Sequence, residues 1–206
     1  MCPLFSLCSS GTYAPPIDPM SDKPVLLLDL GGVLADLGDP VSAMGLRLEF
    51  DDFWKIWTSS PSVRDLETGI IDEAAFIPRV AAELGAADDP LFGERLHRWR
   101  LRLYPDTEEF LRGAAANWRL ALLSNTNAIH WQQVTEGTDV FDLFDALFLS
   151  YETGQYKPSS DAYEQVIDHY SCAAGEIRFF DDSAANIDSA RSAGLDAHLT
   201  NGVPRL

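Results

Sequence analysis

The sequence predicts an α/β fold, a doubly wound parallel sheet carrying an inserted all-helical cap, and three observations predict it. Five short apolar runs rich in Val, Ile, Leu and Phe end in polar residues, at 25–29, 119–124, 146–150, 177–181 and 197–200. Continuous runs of this kind are parallel strands buried on both faces. Helical patterns lie between the later runs, and strand alternating with helix gives right-handed crossovers within one sheet. About ninety residues separate the first run from the second. That is far more than one crossover needs, so an insertion is required.

From the N-terminus, residues 1–19 hold one charged side chain, Asp18, and lack the basic start and sustained apolar core of a secretory signal. Residues 1–20 therefore read as a disordered tail, and Met20, directly before the first strand, reads as the alternative translation start. The core takes residues 21–36 and 105–206, and the cap takes 37–104. Within the cap the pattern predicts helices near 52–58, 72–84 and 89–103. Asp72 is the N-cap of the second, flanked by Ile71 and Phe76 at the spacing of a hydrophobic staple. Pro78 predicts a kink there or a split into two shorter helices. Pro105 marks the return to the core, with helices then expected over 105–118, 160–170 and 184–193. For the middle one, Pro158 blocks earlier extension, Ser160 is the N-cap and Asp161 sits in the positive first turn. Gly194 ends the last helix as a left-handed cap.

Composition narrows the function. A chain of 206 residues with 46% hydrophobic and 23% charged side chains is globular rather than disordered. Fifteen basic against thirty-two acidic residues give a formal net charge of -17. Such a field repels nucleic acid and anionic membranes, so neither is expected as a partner. It also repels anionic small molecules, so a phosphate ligand would need a local cluster of cations. No apolar run reaches the length of a membrane span. Cys2, Cys8 and Cys172 show no metal-ligand spacing and read as free thiols of a reducing cytoplasm.

Ligands of open α/β sheets bind outside the carboxyl ends of the strands, so the residues just beyond each run carry the chemistry. The first run ends in Asp29-Leu30-Gly31-Gly32, where two glycines let the backbone turn sharply and approach a ligand. The second ends in Ser124-Asn125-Thr126-Asn127, whose hydroxyl, amides and N–H groups suit an oxyanion. Lys157 comes next, in Gln155-Tyr156-Lys157-Pro158, and is the only Lys after Lys55. The fourth run ends in Asp181-Asp182-Ser183. Adjacent carboxylates raise each other's pKa unless a cation shares them, and Mg²⁺ suits one or two carboxylates plus water and phosphate. Taken singly, an Asp at a strand end is more often a turn residue, a Ser/Asn cluster a plain turn, and a lone Lys a solvated charge. The order Asp, Ser-Asn, Lys, Asp-Asp at successive strand ends is much harder to obtain by accident.

On these segments the chain resembles the haloacid dehalogenase-like (HAD) superfamily over essentially all of residues 24–200. Leu28 to Leu34 resembles its first motif, Leu123 to Asn127 its second, Lys157-Pro158 its third and Phe180 to Ile187 its fourth. The branch with a helical cap after the first motif is most similar, including phosphatases of the glucose-1-phosphatase kind and epoxide-hydrolase N-terminal phosphatase domains. The cap stretch Glu67-Thr68-Gly69 with Phe76 resembles that branch too. The resemblance implies a Rossmann-like core and a Mg²⁺-dependent phosphatase acting on a small phosphorylated metabolite, with a sugar phosphate as one candidate. It also implies the roles. Asp29 would be the nucleophile that forms an aspartyl-phosphate. Ser124 and Asn125 would hold the phosphoryl group, and Lys157 would neutralise charge on the nucleophile and the phosphoryl oxygens. Mg²⁺ would be held by the Asp29 carboxylate, the Gly31 carbonyl and Asp182, with Asp181 direct or through water.

One departure matters. Most phosphatases of the superfamily carry a second Asp two residues after the nucleophile, as general acid and base, and here that position is Gly31. Losing such help forfeits roughly 10² to 10⁴ in rate. A leaving group that needs little protonation removes the difficulty, as does a substitute acid, for which Asp36 and His130 are candidates; His130 otherwise reads as a partly exposed helix residue. The alternatives are a metal-free haloacid dehalogenase-type hydrolase and a catalytically weak HAD-fold binding or regulatory protein. In the cap, Phe53, Trp54 and Trp57 read as core in preference to a sugar-stacking platform, and Arg95, Arg98 and Arg102 as the solvated face of a helix.

Overall fold

The computed structural model describes residues 23–206; the tail, Cys2, Cys8 and Met20 lie outside the described residues. Four-residue β1 (Val25–Leu28) is buried throughout. It lies at the centre of a parallel sheet with β4 (Arg119–Ser124) and β5 (Ala146–Leu149) on one side and β6 (Ile177–Asp181) and β7 (Asp196–Leu199) on the other. The sheet is the five-stranded doubly wound arrangement that the apolar runs predict. Because successive side chains alternate between faces, Leu26 and Leu28 pack with Leu120 and Leu122 on one face. Val25 and Leu27 pack with Ala121 and Leu123 on the other.

Helices cover both faces. The first face receives Leu111 and Ala114 of α6 (Thr107–Ala114) and Val134 of α7 (Ala128–Thr135). A single turn, α8 (Ser150–Thr153), continues directly from β5. The second face receives Tyr163, Val166 and Tyr170 of α9 (Ser160–Tyr170) and Ile187 and Ala190 of α10 (Ala184–Ser192). Spacings of three and four residues put each set on one helical stripe. Gly194, just beyond α10, has φ +94°, as its left-handed cap position requires. The cap of α9 differs from expectation by one residue: Ser159 takes the N-cap geometry, and the Ser160 hydroxyl turns to Asp161.

Between β1 and β4 the chain forms α1 (Pro40–Met44), α2 (Phe50–Ser59), α3 (Pro61–Glu67), α4 (Glu73–Glu83) and α5 (Phe92–Leu96). These build a third apolar cluster around Phe53, Trp57, Phe76, Phe92 and Trp99. Two expectations are corrected. The segment 89–103 is one short helix, and the chain then extends so that β3 (Arg102–Leu103) pairs antiparallel with β2 (Ala35–Asp36). Pairing at this neck overrides the helical spacing of Arg95, Arg98 and Arg102, so the chain leaves the helix before Arg102 and no arginine stripe forms. Second, α4 is a single helix across Pro78 rather than two shorter ones. The Asp72 carboxylate caps it by accepting from the Ala75 N–H at 2.9 Å, and Phe76 and Val80 are buried in the cluster. Tertiary burial outweighs the one backbone bond that proline removes. Among the described residues, no helix is long and apolar enough to cross a membrane.

Candidate active site

The carboxyl ends of β1, β4 and β6 meet at one point, where the strand order leaves β1 in both directions. Asp29 continues β1, its N–H donating to Phe180 O at 3.0 Å. Lys157 is 2% exposed. Its ammonium donates to Asp29 Oδ1 and to Asp181 Oδ2, each at 2.7 Å. Burial alone would lower the Lys157 pKa, but the charges of Asp181 and Asp29 overcome it and hold the amine above its ordinary range. Burial pushes the Asp29 carboxyl up to about 7 against the pull of Lys157, and Asp181 and Asp182 push the same way.

Asp181 and Asp182 are neighbours with different surroundings. Asp181 is fully buried. Oδ1 accepts from the Ser183 N–H at 2.8 Å and from Asn186 Nδ2 at 2.9 Å, and Oδ2 accepts from Asn186 as well as from Lys157. Asp182 points out into the site. Beside it Gly32 has φ +73°, and a Cβ there would lie 2.1 Å from Asp182 Oδ2, so only glycine lets the loop come this close.

One oxygen from each of Asp29, Asp181 and Asp182 lies within 4.8 Å of the others. Three carboxylates around a single ammonium leave negative charge to be neutralised, and the donors are hard oxygens. This set fits Mg²⁺. With Asp181 saturated, Asp29 and Asp182 are the carboxylates free to hold it.

Ser124 ends β4, 3% exposed, and none of the hydrogen bonds above engages its hydroxyl. Asn125 is used otherwise than expected. Its amide donates to Lys157 O at 2.8 Å and accepts from Lys157 N at 2.9 Å, fixing the lysine's backbone across two strand ends. Its side chain therefore positions Lys157 while lining the same cavity as Asp29 and Ser124.

Asp29, Ser124, Asn125, Lys157 and Asp182 line a cavity of about 180 Å³ whose other wall comes from the insertion, with Trp54, Trp57 and Trp99. Trp57 thus serves both the cap core and the cavity. A larger open depression, about 910 Å³, surrounds Val25, Arg119 and Asp196 at the opposite end of the sheet, away from these groups.

The surroundings favour neither suggested substitute acid, although His130 lines the cavity. Asp36 is exposed on β2 and its carboxylate accepts from the Gly38 N–H; it lines a different depression, beside Arg98 and Arg102. His130 is buried, at 6% exposure, rather than partly exposed. Its ring meets Trp99 edge to face at 4.5 Å. Burial lowers its pKa to about 4, so it is neutral near pH 7. A carboxyl that the strand ends could not reveal lines the same cavity: Glu67, at the end of α3. The nearest sequence signal was the Glu67-Thr68-Gly69 stretch itself.

The sequence pattern of the haloacid dehalogenase-like hydrolases matches residues 24–194. The chain belongs to that family. A HAD family enzyme of Bacteroides thetaiotaomicron, crystallised with magnesium and inorganic phosphate, superposes with a TM-score of 0.71 at 25% identity, covering 86% of this chain and 93% of that one. The D-ribitol-5-phosphate phosphatase of the same organism is 29% identical over 94 residues, 43% of this HAD-family chain and 46% of the relative. The sesquiterpene phosphatase astK of Aspergillus oryzae is 32% identical over 83 residues, 40% of this chain and 42% of the relative. These matches span less than half of either phosphatase.

Proposed function

We propose that this HAD-family chain is a Mg²⁺-dependent phosphatase that hydrolyses a small phosphorylated metabolite through an aspartyl-phosphate on Asp29. The observation that carries the reading is the buried Lys157 held 2.7 Å from both Asp29 and Asp181, with the Asp182 carboxylate alongside. A negatively charged chain that takes a phosphate needs local cations, and Lys157, 2.7 Å from Asp29, supports the reading as one of them.

Asp29 attacks phosphorus with the oxygen not held by Lys157. The Lys157 ammonium, kept charged by two carboxylates, neutralises oxygens that gain charge as the phosphoryl group transfers. Asp181, Asn186 and Asn125 orient that ammonium, and the unengaged Ser124 hydroxyl donates to a phosphoryl oxygen. Asp29, Asp182 and the Gly31 carbonyl would hold Mg²⁺, which offsets the charge of substrate and carboxylates. The insertion walls the cavity with Trp54, Trp57 and Trp99, excluding water and limiting substrate size. Relatives named for a ribitol phosphate and a sesquiterpene substrate support a phosphate ester of an alcohol, and the apolar wall accepts either a compact polyol or a short hydrocarbon.

The test is phosphate release from 4-nitrophenyl phosphate, a panel of sugar phosphates and a prenyl monophosphate, with and without Mg²⁺, beside Asp29→Asn. Release that needs both Mg²⁺ and Asp29 is expected. A wild type no faster than Asp29→Asn on every phosphate would overturn the reading, leaving metal-free dehalogenation or a binding role.

A further inference from the structure

Phosphoryl transfer to Asp29 leaves an alkoxide that needs a proton, and the second half of the reaction needs a base for water. Gly31 supplies neither. Asp36 stands outside the cavity, His130 is neutral and locked against Trp99, and Asp181 is saturated. Glu67 remains. It is 7% exposed and shares the cavity with Asp29, Ser124 and Lys157.

Its surroundings fix the carboxyl from the core side. Tyr156, which precedes Lys157, donates its hydroxyl to Glu67 Oε2 at 3.2 Å. Arg64, one turn earlier on α3, lies over the Tyr156 ring at 5.2 Å. Two residues on, Gly69 has φ +71° and passes so close to the core that a Cβ would sit 2.5 Å from Tyr151 O. The insertion is therefore seated on the core at the place where Glu67 enters the site. Burial, foremost, drives this carboxyl up to about 7, so acid and base forms coexist near neutral pH.

We propose that Glu67, supplied by the insertion, is the general acid and base of the reaction, replacing the carboxyl absent at Gly31. This rests on the phosphatase reading. As Asp29 bonds to phosphorus, the ester P–O bond breaks with its electron pair on the leaving oxygen, which takes the Glu67 proton. The Glu67 carboxylate then takes a proton from water as the water oxygen bonds to phosphorus. The bond from phosphorus to Asp29 breaks, Asp29 returns as carboxylate, and Glu67 is protonated again.

The test compares wild type, Glu67→Gln and Asp29→Asn, full chain with Mg²⁺, on 4-nitrophenyl phosphate and on an alkyl phosphate drawn from the best substrates. Nitrophenolate needs no proton to leave. Glu67→Gln is expected to release about one equivalent of it in a burst, which also shows a folded site, and then to turn over on the order of 10²-fold or more slower than wild type. The alkyl phosphate is expected to lose a similar factor with no burst. A Glu67→Gln enzyme that matches wild type on both substrates overturns the proposal, as does an equal loss on both with no burst. If that variant lacks a cooperative melt, Glu67→Asp decides: a nitrophenolate burst of about one equivalent followed by slowed turnover supports the proposal, and wild-type rates on both substrates, or an equal loss on both with no burst, overturn it. A wild type no faster than Asp29→Asn fails the phosphatase reading itself, and the proposal falls with it.

Discussion

Lys157 sits between two carboxylates with almost no water, and that makes it a structural as well as a chemical residue. Removing one partner of a buried ion pair leaves the other uncompensated, at about 3–5 kcal/mol. Lys157→Met is therefore expected to destabilise the fold by that order at pH 7 in denaturant titrations. The loss should shrink toward pH 5, as Asp29, already raised to about 7, becomes neutral. Two other buried groups oppose each other. His130 falls from 6.5 to about 4 on folding, so its stabilisation is present above pH 6.5 and is lost as pH falls through 4. Glu67 rises from 4.5 to about 7, so its stabilisation is present below pH 4.5 and is lost as pH rises through 7. Each spans about 3 kcal/mol over its range, and the two offset one another between pH 4.5 and 6.5. His130→Gln is expected to become more stable as pH falls from 7 to 5, and a melting temperature flat across that interval would contradict the opposed pair.

At the scale of elements, most of the site was legible because it lies at strand ends. The runs before Asp29, Ser124 and Asp181 are continuous apolar strands, and each run stops where polar residues begin, which marks its carboxyl end. The loop after β1 shows how tightly this is built. Gly32→Ala places an L residue at positive φ, a strain of about 1–3 kcal/mol, and drives its Cβ into Asp182. Phosphatase activity should fall by at least tenfold and half-saturation by Mg²⁺ should move to higher concentration. A variant with unchanged Mg²⁺ response would show that Asp182 is not a ligand. The insertion was less legible. Helical spacing over 89–103 gave way to an extended segment because Arg102 and Leu103 find backbone partners in Ala35 and Asp36, a pairing across the neck that local periodicity does not encode.

At the scale of the whole molecule, a net charge of -17 opposes an anionic substrate at long range, while Lys157 favours it only at contact. Salt screens the long-range part first, since the Debye length is about 8 Å at physiological ionic strength. At fixed saturating Mg²⁺, kcat/KM for a phosphate ester is expected to rise by a factor of about two to five between 20 and 200 mM salt, with kcat nearly unchanged. A fall would show that the positive charge of the site dominates the approach.

The sequence by itself determined the sheet, the insertion's place and the order of the chemical groups at the strand ends, because burial period, caps and turns are local properties. Tertiary structure alone decided which groups touch. Lys157 meets Asp29 across 128 positions and Tyr156 meets Glu67 across 89. Asp181 and Asp182, identical in sequence, part into a buried anchor and an exposed carboxylate facing the cavity because Asn186, Ser183 and Lys157 bind only the first. Burial shifts the titration of His130 because Trp57 and Trp99 of the insertion pack on it, and that of Glu67 because the insertion presses it against the core at Tyr156, since desolvation depends on what packs above a group and not on its neighbours along the chain.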